Sequence, residues 1–127
     1  MMQKISVLHP RDTAYFDEAT LNGLSRDLGS SVAENILCRA LEDIAARFGQ
    51  IRQDYSNGDH PALRKSVHAV IPIADQIGLL GLARIGADVV DCVDQTDPVA
   101  LAATLCRFLR WGEMAMSFAD EGTDIYV

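Results

Sequence analysis

The stretch Pro61-Ala-Leu-Arg-Lys-Ser-Val-His68-Ala-Val-Ile-Pro-Ile-Ala-Asp-Gln-Ile77 constrains the fold most. Its apolar residues Leu63, Val67, Val70, Ala74 and Ile77 are spaced four, three, four and three. That spacing draws one unbroken stripe on an α-helix and excludes a strand, where buried positions would alternate. At about 100° per residue, His68 lies roughly 140° from the centre of the stripe, beside Lys65, Pro72 and Gln76. The helix therefore turns His68 to solvent or to a partner. Most such histidines are solvated surface residues. The chemical alternative is a surface nucleophile, since imidazole titrates near ~6.5 and its neutral ring nitrogen accepts a phosphoryl group.

Pro72 has no N–H to give to the carbonyl of residue 68, so a kink or a loosened turn is expected beside the histidine. The stripe stays in phase through Ala74 and Ile77, which favours a kinked but continuous helix ending before Gly78.

The same periodicity organises the rest of the chain. A short helix is expected from Asp17 to Leu28, with Leu21, Leu24 and Leu28 on one face and Gly29 ending it. A second is announced by Ser31-Val-Ala-Glu34, which fits a capping box, and carries Leu37, Leu41, Ile44, Phe48, Ile51 and Tyr55 over about six turns. Asn57-Gly58-Asp59 reads as a turn, and Asp59 or His60 before Pro61 as a helix start. His60 suits capping or solvation there. Beyond Gly78, Leu82, Ile85, Val89 and Cys92 mark another helix, in which Gly81 and Gly86 permit close packing. Asp94 to Asp97 forms a loop and cap, and Pro98 opens a last helix with Leu101, Leu105, Phe108, Leu109 and Trp111 or Met114.

Long helices joined by short connections give an all-α fold, an up-down four-helix bundle with an additional short N-terminal helix. Residues 1–16 are read as an irregular arm containing His9, residues 17–119 as the bundle domain, and residues 120–127 as an acidic, fraying tail. With 127 residues, 49% of them hydrophobic, one domain with a real core is expected.

A net charge of −7 argues against nucleic acid as a partner. No segment approaches the ~18 apolar residues of a membrane span, and the N-terminus lacks a signal-peptide run. Cys38, Cys92 and Cys106 sit in apolar helical patterns and resemble small core residues more than a disulfide framework or metal site. A soluble, cytoplasmic protein is expected. No P-loop, Glu-x-x-His pair or Ser/Cys–His elbow motif is present, so no internal active site and no metal centre are expected.

The run from Asn57 to His68, followed by Ile77-Gly78 and Leu82, resembles the histidine-containing phosphotransfer (HPt) family of two-component phosphorelays. The similarity covers about residues 17 to 117. His68 matches the phosphorylated histidine, Val70 keeps the apolar character of the position two residues on, and Ile77-Gly78 match the downstream pair. The sequence departs from the family's Lys and Gly, three and four after the histidine, which are Ile71 and Pro72 here.

The resemblance implies a phosphorelay intermediate that accepts and donates a phosphoryl group on His68. It implies a response-regulator receiver domain, or a hybrid histidine kinase, as partner. No cofactor would be bound by this chain, and Mg²⁺ would come with the receiver. Lys65, Gln76 and Arg64 are the candidates to orient or neutralise the phosphate, and Ile71 and Pro72 to dock the partner. The protein is expected to be a monomeric carrier and not an enzyme in its own right. One alternative is an HPt-like adaptor that binds a receiver or kinase without being phosphorylated. Another is a dimerising helical fragment of a kinase system.

Overall fold

The computed structural model describes residues 15–121. The expected arm as far as residue 14, with His9, and the end of the expected tail from residue 122 lie outside the described residues. Among the described residues five helices follow in order: α1 (Glu18–Leu28), α2 (Ser30–Ser56), α3 (His60–Gln76), α4 (Leu80–Asp94) and α5 (Pro98–Glu121). Among the described residues there is no strand. The fold is the expected all-α helical bundle with a short N-terminal helix.

The starts of α1, α3 and α5 each have a local cause. Asp17 caps α1, its carboxylate accepting from the Thr20 amide at 3.0 Å and the Thr20 hydroxyl at 2.6 Å. Asp59 caps α3 by accepting from the Ala62 amide at 3.1 Å, with Pro61 inside the first turn. Asp97 accepts from the Ala100 amide at 3.1 Å ahead of Pro98. These contacts satisfy amides that a helix N-terminus leaves without carbonyl partners.

The start of α2 departs from the expected capping box. Gly29, at φ 85°, both ends α1 and serves as N-cap of α2, and no side chain among the described residues caps that helix. The one-residue break places Ser30 and Ser31 inside α2, where Ser30 meets Ser25 hydroxyl to hydroxyl at 3.1 Å.

The α3 stripe is buried as its spacing requires, with Leu63, Val67, Val70, Ala74 and Ile77 each 0% exposed. Burying such a side chain contributes roughly 1.5–3 kcal/mol. The helix runs unbroken through Pro72 to Gln76, and Gly78, at φ 83°, makes the turn to α4. The main-chain N–H of Asp17 donates to the Gly78 carbonyl at 2.7 Å, tying the start of α1 to that turn.

Helices α2, α3, α4 and α5 enclose one core. Phe48 of α2 meets Phe108 of α5 with ring centroids 5.2 Å apart. Gly81 lies against Trp111, and Gly86 lies between Ile71 and Phe108, as close packing at those glycines requires.

Four sequence expectations change. Phe16, assigned to the arm, is 1% exposed in the core, so the domain starts before residue 17. Tyr55 is 40% exposed, and Asp54 takes the inward position one residue earlier because the long α2 drifts against a strict four-three repeat. Helix α2 spans 27 residues, more than seven turns. Cys38 and Cys106 are exposed and Cys92 is half-buried, all three as free thiols, because the first two fall one step beside the buried stripes.

Candidate functional site

The site is built on the outward face of α3. Its inner face is fixed by the stripe, and a second device sets its register against α2. Asp54, 5% exposed, accepts from Gln50 Nε2 at 2.8 Å and from Ser66 Oγ at 2.9 Å. A carboxylate so buried is tolerable because both oxygens are hydrogen-bonded. Ser66 is anchored to α2 two residues before His68, and Val67 is sealed in the core between them.

His68 is consequently exposed on a helix that cannot rotate or slide without breaking these contacts. Its side chain makes no hydrogen bond or ion pair among the described residues. Helical side chains lean toward the N-terminal turn, so the imidazole covers the turn that carries Arg64 and Lys65. On the helical wheel these two flank it at roughly 40° and 60° on opposite sides.

Lys65 is exposed and has no ion pair among the described residues. Arg64 is engaged. Its Nε donates to one Asp94 carboxylate oxygen at 2.7 Å and its Nη2 to the other at 3.0 Å, a two-pronged contact between α3 and the end of α4. The hydrogen bonds and charge of Asp94 raise the affinity of the guanidinium for its proton, with a smaller contribution from Asp91. Reciprocally, the hydrogen bonds from Arg64 hold the Asp94 carboxyl below the ordinary aspartate range.

The expected partner-facing residues separate. Pro72 is exposed on the Lys65 side of His68. Ile71 is half-buried and packs toward α4, where its Cγ1 would lie 3.1 Å from a Cβ placed on Gly86. Ile71 thus fills the α3–α4 seam with much of its side chain and leaves only its remainder on the surface. Gln76 is exposed at the last position of α3, two turns beyond His68, apart from the Arg64–Lys65 turn.

The sequence reading missed Asp94, Asp54 and Ser66. Asp94 is 30 residues from its partner, so no local spacing reveals it. A signal for Asp54 was present, since it sits three residues after Ile51 and falls on the stripe as well as Tyr55 does.

Elsewhere, an open groove of about 480 Å³ runs along α5 between Tyr15, Cys106, Arg110, Trp111 and Met114. It includes no residue of α3 and brings no acid–base pair to its lining. Among the described residues no cluster of three or more His, Cys, Asp or Glu is arranged to hold a metal ion. No described helix is long and apolar enough to cross a membrane. Comparison with protein-family models, characterised proteins and solved structures gives no match to this chain.

Proposed function

We propose that this protein is a phosphorelay intermediate that carries a phosphoryl group on His68. The observation that carries the reading is an exposed histidine without a side-chain partner among the described residues, held at a fixed register in the middle of a bundle helix and flanked by two cationic side chains. An unprotonated ring nitrogen of His68 attacks the phosphorus of an aspartyl phosphate on a receiver domain. The N–P bond forms, the P–O bond to the aspartate breaks, and the aspartate leaves as carboxylate. Reversal passes the group on.

The chain supplies the nucleophile and local positive charge. The acceptor or donor carboxylate and Mg²⁺ belong to the receiver. Lys65, which has no ion pair among the described residues, is placed to meet the phosphoryl oxygens. Pro72 and the exposed part of Ile71 form the apolar edge against which a receiver would sit. The free cysteines support a reducing, cytoplasmic setting.

One observation favours a second reading, an adaptor that binds a receiver without taking its phosphate: Pro72 puts a ring beside the histidine, where it adds bulk against an incoming receiver. Incubation with phosphorylated receiver domains from the same organism separates the two. Acid-labile, base-stable label on the native protein and none on His68→Gln is expected. Receiver binding with no label on either protein, and affinity unchanged by His68→Ala, would replace the carrier with the adaptor.

A further inference from the structure

The Arg64–Asp94 contact joins the candidate phosphoryl site to the end of α4. Asp94 is the last residue of α4 and Asp91 lies one turn before it, while that turn contains no basic residue. Carboxylates at a helix C-terminus oppose the helix dipole, which is negative there. Arg64, reaching across from α3, supplies the positive charge that the turn itself lacks.

The contact is also exchangeable. Its two side chains are 44% and 49% exposed, so water and salt screen it. A phosphoryl group on His68 would place up to two negative charges and three acceptor oxygens over the turn that carries Arg64. A guanidinium fork fits phosphate as well as carboxylate.

Resting on the phosphocarrier reading, we infer that Asp94 is a positioning residue for the phosphoryl site: it holds Arg64 beside unmodified His68 and loses it when the N–P bond forms. The last turn of α4 then carries two carboxylates without their counter-ion and loosens. Phosphorylation at α3 is thereby displayed at the α4–α5 corner, a surface through which a partner can distinguish the loaded carrier from the empty one.

Phosphoramidate tests this without a receiver. The unprotonated ring nitrogen attacks its phosphorus, the P–N bond breaks, and ammonia leaves. Mass spectrometry locates the label, NMR follows the Arg64 Nε–H signal, and hydrogen exchange follows the amides of residues 91–97. In the native protein the Arg64 signal should move on labelling and exchange in that turn should rise about threefold, the scale of an exposed charge contact. In Asp94→Asn, exchange should be high before labelling and should not respond, Arg64→Ala should behave alike, and Asp94→Glu should restore the response. Label on His68 with an unmoved Arg64 signal and unchanged exchange would overturn the inference and leave the carrier intact. Absence of label on His68 would overturn the carrier reading and the inference with it.

Discussion

Gly112→Ala tests the approach of α5 to α2 on which the core depends. A Cβ at Gly112 would lie 2.3 Å from Phe48 Cζ and 2.4 Å from Phe48 Cε2. Carbon atoms pack at about 3.5–4.0 Å, so the ring would have to retreat by more than ~1 Å. Phe48 is 1% exposed and already lies against Phe108, which leaves it little room. Overpacking of this kind costs about 1–3 kcal/mol, and the better helix propensity of alanine returns about 1 kcal/mol. With a displacement this large the net loss should be about 2 kcal/mol.

Gly49→Ala is the control. It lies in the interior of α2, and a Cβ there meets no atom within 4 Å, so the same substitution should stabilise by about 0.5–1 kcal/mol. Urea unfolding followed by far-UV circular dichroism measures both, with unchanged slopes confirming that only stability has changed. If Gly112→Ala raised the midpoint as much as Gly49→Ala, the inferred contact between α5 and Phe48 would be wrong.

Ser66→Ala should cost about 1.5–3 kcal/mol, because it removes one of the two side-chain donors to the buried Asp54 carboxylate; a loss under ~0.5 kcal/mol in urea would show that water replaces the hydroxyl. His68→Gln should leave the unfolding midpoint unchanged, since the exposed ring makes no side-chain hydrogen bond among the described residues, and a clear loss of stability would contradict that surface position. The Asp94 carboxyl titrates below its ordinary value, so the stabilisation it gives is complete above the ordinary aspartate range and disappears as pH falls through the lowered value. The Arg64 Nε–H signal, followed by NMR on acidification, should hold its position through the ordinary range near ~3.9 and move only below it; movement at or above that range would count against the pairing.

The bundle was legible because helix α3 repeats its apolar residues at one period and the turns around Gly58 and Gly78 are marked by residues that adopt positive φ. The outward placement of His68 follows from the same geometry and needs no tertiary information. What escaped were features that depend on two helices at once. Leucine and tyrosine mark a stripe, but whether Asp54 or Tyr55 enters the core depends on Ser66 waiting across the α2–α3 interface. Arg64 looked as available as Lys65 because Asp94, its partner, lies on the next helix. Ile71 looked like surface for a similar reason, since the space beside Gly86 exists only once α4 has packed. The α2 start shows the opposite limit, a good local motif displaced because α2 begins at Ser30, directly after Gly29 ends α1, and takes Ser31 inside the helix.

The bond from the Asp17 amide to the Gly78 carbonyl carries a kinetic consequence. It closes a loop of about sixty residues, and loop-closure entropy is lost before the contact returns anything. Gly78 reaches its position only after α3 and α4 have formed their corner, whereas the hairpins α2–α3 and α3–α4 join near neighbours in sequence. Closure of this contact therefore belongs late in folding, on a scaffold that already presents His68. Substitutions in the Asp17–Gly78 latch should accelerate unfolding while barely slowing refolding.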